Sequence, residues 1–248
     1  MTASAGLEPI RPMCRRGVKA AGVSLVAAMG LLPQAAPAPS AHPIGLRSMD
    51  GTPIAADLYE PRLQPAPAVV LVHMLTRTRL DWAPVAERLQ DSGFAVLSLD
   101  LRGHGQSGGG VDAGGDLSPM QRDVAAALAF LKSRGVKRIG IAGASLGANL
   151  AALVAATDPT VRSLALLSAS TDYRGLRIEA ALRKVDCPVL LVAGSNDPYA
   201  LRSAVALAAT GGRRETVTLP DAGHGTTMLV RQPELTSRLM DWFRRTLL

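Results

Sequence analysis

From Ala68 onward the chain alternates between short unbroken apolar runs and longer stretches in which apolar residues recur every three or four positions. The runs AVVLVH (68–73), FAVLSL (94–99), SLALLS (163–168) and PVLLVA (188–193), with 136–142 between them, show no polar alternation. Segments of that kind are strands buried on both faces, as in a parallel sheet. A further strand is predicted over 215–219. Helical spacing fills the intervals at 81–90, 118–134, 148–156, 199–209 and 227–246. Strand and helix in regular alternation predict a parallel sheet covered by helices on both faces and joined by right-handed crossovers. In such sheets reactive groups collect at the carboxyl ends of the strands.

Local signals refine this outline. Between 42 and 60, two alternating segments flank Asp50-Gly51, a pair suited to a type I′ hairpin turn, so an antiparallel hairpin is expected at one sheet edge. Residues 61–67 carry three prolines and form a connector. Asp81 is the expected N-cap of its helix. Ser118, Pro119 and Gln121 read as N-cap, first helical residue and the end of a capping box. The stretch 172–184 reads as loop with one short helix. The fold class is therefore α/β: a single domain over 42–248, with about eight mostly parallel strands, the hairpin at its start and no large lid domain.

Composition narrows the function. Apolar residues make up 48% of the 248-residue chain and charged residues 19%, which excludes a disordered protein. With aromatics at 3%, Ala, Leu and Val must fill the core, and the scarcity argues against a base-stacking platform for nucleic acid. The net charge of +7 divides into +3 before residue 42 (Arg11, Arg15, Arg16 and Lys19 against Glu8) and +4 over the rest. The main body holds no basic cluster of the DNA-reading kind. Cys14 and Cys187 are the two cysteines. Cys187 stands at the start of an apolar strand, where a buried inert thiol is expected. No Cys or His spacing fits a metal site, and no cofactor is expected.

The first 41 residues read as an address. A basic stretch, 13–19, precedes an apolar run, 20–32, and a small Pro- and Ala-rich segment, 33–41. That order describes a secretory signal peptide, with processing expected just before Ala41. Met13 is an alternative start, and Arg15-Arg16 admits a twin-arginine route. The apolar run is shorter than the roughly 20 residues of a spanning helix, so no stable membrane insertion is expected once the signal is removed. The expected location is periplasmic or secreted.

Chemistry centres on Gly143-Ala144-Ser145-Leu146-Gly147, a G-x-S-x-G run between a predicted strand and a predicted helix. In that context the serine sits on a strained turn with its hydroxyl exposed above the sheet. A serine that merely caps the helix is the alternative. Two more polar residues follow predicted strands: Asp197 after Gly194-Ser195-Asn196, and His224 between Gly223 and Gly225. Asp197 also reads as a helix cap and His224 as a solvated loop residue. The chain order Ser, Asp, His is nonetheless that of a nucleophile, an orienting acid and a general base.

Together with Asp100-Leu-Arg-Gly-His-Gly-Gln-Ser107, these segments resemble the α/β-hydrolase superfamily over nearly the whole chain after the leader, and within it compact bacterial esterases and dienelactone-hydrolase-like enzymes. The resemblance implies a catalytic triad of Ser145, Asp197 and His224. It also implies an oxyanion hole from the backbone N–H of Leu146 and a second N–H after the first buried strand. Many relatives carry His-Gly there. This chain has His73-Met74-Leu75, so Leu75 is the expected donor and Met74 the alternative, with His73 and Met74 candidates to line the acyl pocket. His104, Asp100 and Arg102 are expected to organise their turn, and the glycines at 108–110 and 114–115 to form a mobile rim loop. The short interval between Ser168 and Cys187 implies an open site for small or medium soluble esters. Thioester, lactone or amide hydrolysis, and a non-catalytic binding scaffold, are the alternatives.

Overall fold

The computed structural model describes Met1, residues 41–110 and residues 114–248. The expected leader, with Met13 and Cys14, lies outside the described residues save for Met1 and its last residue, Ala41. Three residues of the glycine-rich stretch, 111–113, lie outside them too. All elements below belong to the unit Ala38–Leu248.

Eight strands form one sheet in the order β1-β2-β4-β3-β5-β6-β9-β10. These are β1 (His42–Arg47), β2 (Pro53–Tyr59), β3 (Ala68–Val72), β4 (Ala95–Leu99), β5 (Ile139–Ala144), β6 (Val161–Leu167), β9 (Val189–Gly194) and β10 (Arg214–Leu219). β7 (Asp172–Tyr173) and β8 (Leu176–Arg177) make a separate two-residue pair. β1 runs antiparallel to β2 and β2 antiparallel to β4, and every later pairing in the large sheet is parallel. The helices are α1 (Ala83–Asp91), α2 (Gln121–Ser133), α3 (Leu146–Ala155), α4 (Glu179–Leu182), α5 (Pro198–Ala208), α6 (Thr227–Arg231) and α7 (Glu234–Leu247).

The unbroken apolar runs have the physical reason expected of them. Alternate residues of one strand enter two different cores. Val70 and Val72 join Leu128, Leu146, Leu150 and Leu207 under α2, α3 and α5, while Val69 and Leu71 join Trp82, Leu89, Leu239 and Phe243 under α1 and α7. Each such side chain contributes about 1.5–3 kcal/mol on burial. Among the described residues no helix is long and apolar enough to cross a membrane.

Several local expectations are corrected. The hairpin turn is not type I′. Ser48 pairs with Thr52 across three residues, with Gly51 N–H bonded to the Ser48 carbonyl and Gly51 at φ +86°, the three-residue loop that ends in a glycine bulge. Asp81 does not cap α1: it lies inside a 3-10 turn, Arg79–Trp82, and its carboxylate is engaged elsewhere. Ser118 is likewise in a 3-10 turn, and its N–H and hydroxyl bond the Asp116 carboxylate at 2.8 and 2.6 Å. Asp116, two residues earlier, accepts both bonds, and neither this turn nor the helix after it has a side-chain N-cap. The last helix is two helices, because Pro233 has no N–H to continue α6 and instead begins α7. The interval 172–184 contains the β7–β8 pair as well as α4.

Candidate active site

Strand β5 ends at Ala144 and α3 begins at Leu146, leaving Ser145 alone to turn the chain. It does so at φ +50° and ψ −113°, a region that costs a residue with a Cβ about 1–3 kcal/mol. The surroundings enforce it. Ser145 N–H bonds the Leu167 carbonyl of β6 at 2.8 Å, and the Ser145 carbonyl accepts from Ala148 and Asn149 at 2.9 and 3.1 Å. The flanking glycines are required sterically. A Cβ at Gly143 would strike Gly147 and Ala148 backbone atoms, and one at Gly147 would strike the carbonyls of Val72 and His73. Ser145 is 4% exposed overall, and its hydroxyl meets His224.

His224 Nε2 lies 2.8 Å from Ser145 Oγ, and His224 Nδ1 lies 2.5 Å from Asp197 Oδ2. The three residues, each just beyond the end of a different strand or between strand and helix, come together above β5, β9 and β10. Asp197 makes a contact suited to each of the two readings of its sequence context. Its Oδ1 accepts the Ala200 N–H at 3.1 Å, capping α5, while Oδ2 faces the imidazole. The cap thus fixes the carboxylate that orients the ring.

The His224 turn is held on every side. Asn196 Oδ1 accepts Gly223 N–H at 2.9 Å, Ser195 Oγ accepts Asp221 N–H at 3.1 Å, and Ser168 Oγ accepts Gly225 N–H at 3.0 Å. Thr227 Oγ1 accepts His224 N–H at 3.1 Å and donates to the His224 carbonyl at 2.6 Å. The imidazole itself is reachable from solvent, its side chain being 47% exposed. Residues 168–188 add only the β7–β8 pair and the four-residue α4 beside it.

Leu146 is the first residue of α3, so its N–H has no intrahelical acceptor. Leu75 occupies the second position of a turn closed by Arg77 N–H on the Met74 carbonyl at 3.2 Å. Thr76 follows it at φ +61°. Met74 packs its sulfur into the space that a Cβ on Gly225 would need, beside the His224 turn. His73 does not line a pocket, contrary to expectation. It is fully buried, its Nδ1–H donates to the Met74 carbonyl at 2.8 Å, and its Nε2 accepts Leu101 N–H at 2.9 Å. Burial pushes its pKa down to about 4, so it is a neutral bracket between two loops. Cys187 is half-buried, and burial pushes its thiol up to about 11, away from the thiolate that a nucleophile needs.

The segment 100–107 proves to be the support of the loop after β3. Asp100 accepts the Arg79 N–H at 2.7 Å and the Gln106 N–H at 2.9 Å, and pairs with the Arg79 guanidinium. Arg79 also bonds Asp57 and Gln106, at 2.9 and 2.8 Å. His104 Nε2 accepts the Thr76 N–H at 3.2 Å. Arg102 turns the other way, to Asp123, Asp50 and Ser48. Nothing in the sequence marks Arg79, Ser168 or Thr226, and Asp81 reads there only as a helix cap. Apart from the Arg77–Asp81 pair, their side-chain partners lie 19 or more positions away, and no local pattern announces them.

The central part of the chain, residues 64–176, matches the family model described as serine aminopeptidase, S33. An esterase of Pyrococcus furiosus superposes with a TM-score of 0.69 at 20% identity, covering 84% of this chain and 93% of that one. A dienelactone hydrolase of Anabaena variabilis gives 0.69 at 22% identity over 85% of this chain and 100% of that one. An enol-lactonase of Burkholderia xenovorans gives 0.68 at 18% identity over 80% and 99%. At these identities the likeness is one of fold.

Proposed function

We propose that this chain, which has the α/β-hydrolase fold and matches a serine aminopeptidase family model over residues 64–176, is a serine hydrolase cleaving small or medium carboxylic esters through an acyl-enzyme on Ser145. One observation carries the reading: a single imidazole within hydrogen-bond reach of both a strained serine hydroxyl and a capped carboxylate. Ser145 Oγ adds to the ester carbonyl as its proton passes to His224 Nε2. Asp197 holds the Nδ1–H tautomer and stabilises the imidazolium. The oxyanion is received by the N–H of Leu146 and, in this reading, of Leu75, each such donor contributing about 100- to 1,000-fold in rate. Collapse expels the alcohol, which takes the proton from His224. Water, deprotonated by the same nitrogen, then releases the acid and restores Ser145.

The exposed His224 ring and the small β7–β8/α4 insert favour soluble substrates of modest size. Lactone opening is the second reading, since a lactone is an ester closed on itself and two of the similar structures are a dienelactone hydrolase and an enol-lactonase. Export belongs to the proposal as well, on the strength of residues 13–41 alone. The deciding experiment is labelling with a fluorescent organophosphonate, beside turnover of nitrophenyl esters of graded length, a lactone and a thioester. The wild type is expected to label and Ser145→Ala not to. Equal labelling of both, or of neither, refutes the proposal.

A further inference from the structure

We infer that Asp81 and Thr226 form a latch that keeps the oxyanion loop and the histidine turn in register, making both positioning residues for the reaction. The inference rests on the esterase reading for its kinetic consequence. Its geometry stands apart from that reading.

Asp81 lies in the 3-10 turn at the far end of the loop that begins with Met74 and Leu75. Thr226 lies two residues after His224. Between them runs a hydrogen bond of 2.5 Å from Thr226 Oγ1 to Asp81 Oδ2, with Thr226 buried at 4% exposure. The Asp81 carboxylate is aimed for this purpose. Arg77 grips both of its oxygens, Nε on Oδ2 and Nη2 on Oδ1, each at 2.8 Å. Burial raises the Asp81 pKa, but the hydrogen bonds from Arg77 and Thr226 outweigh it and hold the carboxyl below the usual range. The acceptor therefore remains charged at neutral pH, and a charged acceptor binds a hydroxyl more strongly than a neutral one.

In the esterase reading the bond joins the segment that offers an N–H to the substrate's carbonyl oxygen to the segment that carries the base for Ser145 Oγ. The loop 74–82 is anchored on its inner side to Asp100 and His104. The histidine turn is anchored to Ser195, Asn196 and Ser168. Those anchors fix each segment to its own neighbours, whereas Asp81–Thr226 fixes one segment to the other. The Met74 sulfur against Gly225 makes the same junction by shape alone, without direction. A displacement of about 1 Å between base and oxyanion donors is enough to cost catalysis heavily, so a directional bond at this junction matters to rate before it matters to folding.

The test uses the full chain and three variants: Thr226→Val, which keeps the shape and removes the hydroxyl; Thr226→Ser, which restores it; and Arg77→Gln, which leaves the bond but frees the carboxylate to turn. Two readouts are taken well below every unfolding midpoint. The first is kcat and KM on a short nitrophenyl ester. The second, independent of substrate, is the proton NMR signal of the His224 Nδ1–H that faces Asp197, and its exchange with water. Thr226→Val is expected to lower kcat about tenfold with KM within about twofold, and to speed exchange of the imidazole proton by a similar factor. Thr226→Ser is expected to return both to near wild type, and Arg77→Gln to fall between. An unchanged kcat and exchange rate in Thr226→Val overturns the latch, as does an equal loss in Thr226→Ser. Should the wild type neither hydrolyse the ester nor label with the phosphonate, the esterase reading fails, and the imidazole proton still decides the latch.

Discussion

Replacing Gly147 by Ala tests whether the elbow's close packing serves catalysis. A Cβ at this position would lie against the Val72 and His73 carbonyls, 2.6 Å from the latter, and 2.9 Å from the Val72 carbonyl carbon. These are main-chain atoms at the end of β3, buried on both faces, so no flexible side chain can swing aside. Overpacking of this kind costs about 3 kcal/mol, the upper end of its usual range, and the helix propensity of Ala returns about 1 kcal/mol. A net loss of about 2 kcal/mol lowers the midpoint of thermal unfolding by about 4–8 °C. The functional loss is expected to be larger. Relief requires α3 to back away from β3, carrying Ser145 and the Leu146 N–H away from the loop that holds Leu75. A shift approaching 1 Å costs about 100-fold in rate. Urea or thermal unfolding gives the first number, and kcat/KM on a nitrophenyl ester at 20 °C below the variant's midpoint gives the second. Gly45→Ala in β1 is the control, because nothing lies within 4 Å of its added Cβ. If Gly147→Ala matches wild type in both measurements, or loses stability while keeping full activity, the elbow's steric argument is refuted.

Two further outcomes are expected. His73 has its pKa pushed down to about 4 by burial, against about 6.5 in an unfolded chain. The unfolded state therefore takes up the proton first, and stability falls as pH drops from about 6.5 to 4, by about 3 kcal/mol in all. Urea midpoints across that window are expected to lose this share of their slope in His73→Gln, and an identical slope in the variant would contradict it. For the leader, fractionation of a bacterial host producing the full chain is expected to recover the protein outside the cytoplasm with Ala41 at its new N-terminus. An intact N-terminus in the cytoplasmic fraction would overturn export.

The sheet was readable because its strands are buried on both faces, and unbroken apolar runs such as 68–73 and 188–193 have few other uses. The residues of the candidate triad were readable for a related reason: a polar group directly after such a run sits where parallel strands end. Caps and turns were harder. Asp81 and Ser118 both have the chemistry of an N-cap, yet each found a stronger partner, Thr226 with Arg77 in one case and Asp116 in the other. The hairpin turn went to a three-residue loop because Ser48 and Thr52 can pair there with only Gly51 needing a positive φ. Arg79 was invisible as a structural residue, since a guanidinium becomes buried only when acids far along the chain, here Asp57 and Asp100, converge on it. Nor does any local pattern distinguish Thr76 or Ser168, which take positive φ without being glycine. Tertiary contact imposes those conformations.

The octapeptide 100–107 carries a consequence for how this site can change. Two of its side chains stand beneath the loop that holds Leu75 and not beside Ser145: Asp100 under Arg79, and His104 under Thr76. Selection for a new substrate that reshapes the outer surface of that loop leaves the foundation in place. Alteration of the foundation tilts the whole loop at once, whatever sequence lies on top. In the esterase reading, variation that retunes preference is expected at residues 74–77, while 100–107 holds the loop that carries them.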